Sequence, residues 1–174
     1  MSRVTEFISQ QTLAERIAAL GADIRRDAGP DTPVHLVCVL KGAFMFMADL
    51  MRAIDGATTC DFIVARSYAG TTTTGQGQML KDLDHAIDGR YVLVVEDIVD
   101  TGLTLSHLRA VFRTRKPAAL KTACLLSKPS RRTVDVPVDY VGFTIDDKFV
   151  VGYGLDFDEA YRNLPFIGVV EGVE

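Results

Sequence analysis

The stretch VVEDIVDTGLTL, residues 94–105, gathers the side chains most able to do chemistry. An apolar run ends in two adjacent carboxylates, Glu96 and Asp97. Asp100 follows, and then Thr101, Gly102, Leu103 and Thr104. Carboxylates this close repel one another, so they call for a cation or hydroxyl donors between them. The turn behind them has the opposite preference. A helix opening at 101–104 offers free backbone N–H groups and a partial positive charge, which attract phosphate. Gly102 lets the backbone approach closely, and Thr101 and Thr104 add hydroxyls. The pattern suits a ligand with phosphate at one end and hydroxyls with Mg²⁺ at the other, such as a ribose phosphate. A plain capped helix would use Asp100 or Thr101 alone; it does not need three acids and two threonines.

Positioning these groups takes a buried strand before them and a helix after. YVLVVED (91–97) is such a strand, and Leu103, Leu105, Leu108, Val111 and Phe112 mark the helix. Upstream, residues 10–27 read as an amphipathic helix, broken by AGPDTP at 28–33. VHLVCVL (34–40) reads as a strand buried on both faces. It runs into Lys41-Gly42 and then into the helical AFMFMADLMRAI. CDFIVARSY (60–68) and LKTACLLS (120–127) are further strands, and DYVGFTI, FVVGYG and FIGVV are strand candidates near the end. Alternating strands and helices predict an α/β fold with a central, mostly parallel sheet flanked by helices. The strand-rich final third predicts a small hood. Residues 69–89, rich in Thr and Gly, read as a long functional loop or lid within one domain spanning 1–174.

The 174 residues suffice for one core, and a net charge of -4 argues against a general nucleic-acid binder. The basic run Arg113–Lys116 reads as a solvated helix end. No apolar run approaches the ~20 residues of a membrane span, and MSRVTEFISQ has no signal-peptide core. Cys38, Cys60 and Cys124 lack metal-ligand spacing and read as small buried hydrophobes of a reducing cytoplasm. His35, His85 and His107 are scattered and read as structural or surface residues.

VVEDIVDTGLTL closely resembles the phosphoribosyl-diphosphate motif of the type I phosphoribosyltransferases: an apolar strand, two acids, two apolar residues, then Asp-Thr-Gly-x-Thr. Further segments are similar to the hypoxanthine-guanine phosphoribosyltransferases within that family. These are LKGAFMFMADL (40–50), SYAGTTTTG (67–75), LLSK (125–128) and DKFVVGYGLDFDEAYRNLP (147–165). The resemblance covers roughly 34–170. It implies the type I phosphoribosyltransferase fold and purine salvage. The 5-phosphoribosyl group would pass from phosphoribosyl diphosphate to N9 of hypoxanthine and/or guanine, giving IMP or GMP and diphosphate.

Carried over residue by residue, the resemblance places Glu96 and Asp97 along the ribose hydroxyls and their Mg²⁺. Asp100 falls near purine N7 as the catalytic group, and Asp100–Thr104 around the 5′-phosphate. At Leu103 some relatives have a polar residue, but only its backbone N–H need serve. Lys41, Gly42 and Arg162 fall at the diphosphate. Lys128 falls at the purine 6-oxygen, Phe149 on the base, Val150 at its edge, and Asp156 at the purine side and a second Mg²⁺. Ser67 and Tyr68 begin the lid. A homodimer or homotetramer is implied too. The resemblance leaves open a xanthine-preferring enzyme and a non-catalytic sensor of phosphoribosyl diphosphate. A P-loop is excluded for want of G-x-x-x-x-G-K-[ST].

Overall fold

The computed structural model describes residues 3–66 and 78–173. Ser67 and Tyr68 and the first part of the expected lid lie outside them. The chain is a mixed α/β fold with two sheets. Strands β2 (Val34–Leu40), β3 (Thr58–Arg66), β5 (Tyr91–Val99), β6 (Ala119–Ser127) and β7 (Tyr140–Thr144) are mutually parallel, and β4 (Gln78–Lys81) adds an antiparallel edge. The order is β4-β3-β2-β5-β6-β7. Alternate residues of the central strands serve two cores. Val34, Leu36, Cys38, Leu93 and Val95 meet helices α1 (Gln10–Ala28) and α2 (Phe44–Ala53). Val37, Val39, Val92 and Val94 meet α3 (Leu103–Thr114) through Leu105, Leu108 and Phe112. Full burial of each such side chain contributes about 1.5–3 kcal/mol, so the central strands are the most firmly held part of the molecule.

This order creates a switch point. After β2 the chain crosses by α2 to β3 on one side, yet β5 lies on the other side of β2. The carboxyl ends of β2 and β5 therefore open a crevice between diverging connections, where ligands of such sheets bind. Leu40-Lys41-Gly42 and Glu96-Asp97 stand at those two ends.

The second sheet is small and antiparallel, in the order β1-β9-β8, from β1 (Val4–Ile8), β9 (Ile167–Val170) and β8 (Val150–Val151). Its C-terminal strands match the expected hood; β1 was not anticipated. Of its residues, VTEFI, only Ile8 is buried, Val4 is half-buried and the three between are exposed, so no buried run marks them. FVVGYG holds only a two-residue strand, because Gly152 (φ +94°) and Tyr153 (φ +51°) turn the chain out of extended geometry.

Two other expectations need correction. The segment 69–89 is not loop throughout: 78–81 form β4, and 82–89 are tied down through Asp61, which accepts from the N–H groups of Asp84 (2.9 Å) and His85 (3.0 Å). Turn-like composition concealed this because the anchor belongs to another strand. Cys60 is exposed, unlike Cys38 and Cys124. The helices pack mainly over β2, β5, β6 and β7, and β3 begins with half-buried Thr58 and exposed Thr59 and Cys60.

Candidate active site

Glu96 ends the buried part of β5 and is 6% exposed. Its carboxylate makes no hydrogen bond or ion pair among the described residues. Burial, with Asp97 and then Asp100 nearby, pushes its pKa well above the carboxylate range. Asp97 is raised as well, first by burial, although its Oδ1 accepts the Ile98 N–H at 2.6 Å and Arg162 acts in the opposite direction. Two desolvated neighbouring acids with no cation in ion-pair contact among the described residues are a standing electrostatic cost.

Gly42 explains how the turn after β2 reaches this pair. A Cβ on Gly42 would lie 1.7 Å from Asp97 Oδ2. Only a glycine lets the backbone lie against the carboxylate. The preceding Leu40-Lys41 peptide is cis. Lys41 Nζ bonds Glu159 at 3.0 Å, and Arg162 Nη2 reaches both Glu159 (3.2 Å) and Asp156 (3.1 Å). Arg162 Nη1 donates to Gly154 O at 2.8 Å. The 154–162 loop thus brings its cation beside the β2 turn, and Lys41, Gly42, Asp97 and Arg162 form one neighbourhood.

The α3 N-terminus, where the sequence places a phosphate site, has Gly102 in the left-handed region (φ +84°) as its N-cap residue and carries no side-chain cap. Neither Asp100 nor Thr101 caps it: Asp100 Oδ1 takes the Thr101 N–H at 2.6 Å, and Thr101 Oγ1 meets the Leu103 N–H at 3.4 Å. Lys41, Gly42, Glu96, Asp97, Asp100, Gly102 and Thr104 line one cavity. Thr101 and Leu103 flank that lining.

A second cavity is lined by Asp100, Lys128, Arg131, Asp147, Lys148 and Phe149. Lys128 Nζ donates to Lys148 O (2.8 Å) and pairs with Asp147 (3.4 Å), which also pairs with Arg131. Phe149 is 38% exposed, with its ring edge-on to Phe157 at 5.3 Å. An exposed aromatic beside a cation and a carboxylate is a platform for a flat polar ring. Val150 is buried, is paired to Val169 in the small sheet, and does not line this cavity. Asp156 stands with Arg162 rather than with Lys128. Arg131, Asp147 and Glu159 were not picked out from the sequence. Asp147 and Glu159 lie within 147–165, the segment that holds Phe149, Asp156 and Arg162, whereas Arg131 lies just beyond Lys128; only the fold pairs them.

Glu96, Asp97 and Asp156 do not form one ligand cluster. Among the described residues no three His, Cys, Asp or Glu side chains could hold a metal by themselves. Mg²⁺ is commonly bound by one or two carboxylates with substrate oxygens and water completing the shell. The unpartnered Glu96 beside Asp97 has the chemistry of such a donor pair.

Comparison with known proteins agrees with this geometry. Residues 4–158 match the phosphoribosyl transferase domain. The chain is 46% identical over 166 residues to the hypoxanthine-guanine phosphoribosyltransferase of Streptococcus thermophilus, covering 95% of this chain and 92% of that protein. It is 48% identical over 171 residues to the hypoxanthine phosphoribosyltransferase of Escherichia coli K12, covering 96% and 95%. A crystal structure of a hypoxanthine-guanine phosphoribosyltransferase from Bacillus anthracis superposes with a TM-score of 0.90 at 46% identity, covering 98% of this chain and 99% of that chain. The chain belongs to the phosphoribosyl transferase family.

Proposed function

We propose that the protein is a purine-salvage enzyme that moves the 5-phosphoribosyl group from phosphoribosyl diphosphate to N9 of hypoxanthine and/or guanine, releasing diphosphate. The observation that carries this reading is the double position of Asp100. It lines both the cavity with the acid pair and uncapped helix and the cavity with Lys128 and Phe149. A sugar phosphate in the first and a base in the second would meet at this carboxylate.

In this reading the α3 turn holds the 5′-phosphate through backbone N–H groups, and Glu96 and Asp97 hold the ribose hydroxyls. These two, with Asp156 at a second position, would hold Mg²⁺, which when bound neutralises charge on the diphosphate. Lys41 and Arg162 bind diphosphate oxygens, Arg162 as a fork. Phe149 stacks on the purine, and Lys128 donates to its 6-oxygen. A 6-amino group, itself a donor, is rejected there. The C1′–N9 bond forms as the C1′–O bond to diphosphate breaks, and the Asp100 carboxylate takes the proton from N7. Positioning and a preorganised field supply most of the rate. A homodimer or homotetramer in the cytoplasm belongs to the same reading, and sedimentation of the purified protein reads the assembly. The test of function is direct: incubate the protein with phosphoribosyl diphosphate, Mg²⁺ and each purine in turn. Nucleotide should form from hypoxanthine or guanine and not from adenine, and should stop on exhaustive chelation. Nucleotide from xanthine alone, or none from any base, would overturn it.

A further inference from the structure

One outer segment grips three consecutive carbonyls of the acidic turn. The Lys128 N–H donates to Val99 O at 2.9 Å. Arg132 Nε donates to Asp100 O at 3.0 Å. The N–H groups of Thr133 and Val134 donate to Thr101 O at 3.0 and 3.3 Å. Arg132 Nη2 also reaches Ser127 Oγ (3.1 Å) and Val99 O (3.4 Å). Three of these six bonds are backbone N–H bonds that do not depend on the side chain, and the other three come from the Arg132 guanidinium. The grip on Asp100 O is different: among the described residues it comes from the Arg132 guanidinium alone. The stem of Arg132 also packs on the turn, since a Cβ on Gly102 would lie 3.1 Å from its Cδ.

A trans peptide points its C=O and N–H in opposite directions. Holding Asp100 C=O outward therefore turns the Thr101 N–H inward, where it closes on Asp100 Oδ1 at 2.6 Å. That bond fixes the rotamer of the Asp100 side chain. The same segment begins at Lys128, so the group proposed to read the base and the turn proposed to hold the phosphate share one brace. We propose that Arg132 is a positioning residue of the transferase site, setting the Asp100–Thr101 peptide and through it the Asp100 carboxylate and the phosphate-facing N–H groups. The assignment rests on the function proposed above. A planar fork suits three acceptors around one turn; a lysine, with a point charge on a flexible stem, cannot span them equally well.

Three variants test it by steady-state kinetics and thermal unfolding. Arg132→Met keeps the stem and removes the donors. It should remain folded and lose roughly 10- to 10²-fold in kcat, the scale of a misplaced catalytic group, with the KM for hypoxanthine little changed. Arg132→Lys should fall between it and the parent. Arg132→Ala should regain activity in guanidinium chloride far below denaturing concentrations, while the parent and Asp100→Asn should not. If Arg132→Met does not fold, the lysine variant and the guanidinium response decide. Parent-like kcat in a folded Arg132→Met, or losses that merely track a lowered thermal midpoint and ignore guanidinium, would overturn the proposal. An inactive parent would instead overturn the function on which it rests.

Discussion

Two buried carboxylates in the same sheet have opposite electrostatics. Asp61, on β3, is 2% exposed, and Glu96, on β5, is 6% exposed. Burial raises both, yet Asp61 ends below its ordinary value because the N–H groups of Phe62, His85 and Asp84 bond its oxygens and Lys81 lies nearby. Glu96 has only other acids beside it and ends well above. Depth in the protein therefore does not decide the electrostatics of a buried carboxylate. The supply of donors does: Asp61 is satisfied by its own chain, and Glu96 faces a crevice with its acceptors open.

The sharpest test sets Asp100→Asn against Asp61→Asn. Asp100→Asn should fold and bind phosphoribosyl diphosphate but lose roughly 10²–10⁴ in turnover, the usual share of acid–base help. Asp61→Asn should keep turnover within a few fold. Unchanged single-turnover rates in Asp100→Asn would remove that residue from the chemistry. Severe loss in a folded Asp61→Asn would erase the distinction between the two carboxylates.

Gly42→Ala probes the contact between the β2 turn and the acid pair. Its methyl would enter the space of Asp97 Oδ2, so either the carboxylate or the Lys41 turn must move. A displacement of this kind costs on the order of 10²-fold in kcat/KM. An alanine variant with parent kinetics would mean that the Asp97 position is not used.

Asp61→Asn should show its own effect in stability. An asparagine amide has one accepting oxygen and a donating NH2, so at least one N–H now bonded to Asp61 is left without a partner, at a cost of about 1–3 kcal/mol. The pH dependence follows in sign. The native pKa lies below the unfolded value of about 3.9. The stability from this group is therefore complete above the unfolded value and lost as pH falls through the native one. His85, whose Nδ1 lies 3.5 Å from Asp61 Oδ2, also faces it, as do His35 and Lys81. The difference between parent and variant isolates Asp61. Chemical denaturation from neutral to acid pH should show that difference shrinking below about pH 4; a constant difference would refute the account.

Much of this was legible in the sequence because local pattern and global fold agree. VHLVCVL and YVLVVED announce strands covered on both faces, and the acids that follow have no use in a core. What was hidden depends on residues distant along the chain. Asp61 reads as one charge in an ordinary strand, and its donors lie in a segment that looked like loop. Arg132 reads as one of two arginines after a strand; only the fold turns it toward the Asp100 carbonyl. β1 has too little buried surface to leave a pattern. The pairing of Glu159 with Lys41 spans most of the chain and no local signal could carry it.

That pairing gives the smallest predicted effect. Glu159 bonds both Lys41 and Arg162, and Lys41 first, then Arg162, holds its carboxyl below the usual range. It is satisfied like Asp61 but stands in solvent, at the functional edge. If Lys41 and Arg162 bind diphosphate, that anion competes with the Glu159 carboxylate for the same two cations. Glu159→Gln should then bind Mg-diphosphate more tightly. Exposed ion pairs are weak, so the gain should be only about two- to fivefold, and it should shrink as salt screens the charges. Calorimetric titration with Mg-diphosphate at two ionic strengths measures both. Weaker binding in the glutamine variant would mean that Glu159 orders the 154–162 loop, with the Glu159 N–H on Asp156 Oδ2 at 2.9 Å as part of that frame. The exposed carboxylate would then belong with Asp61 as an anchor, and nearness to the acidic crevice would no longer separate the two kinds of acid.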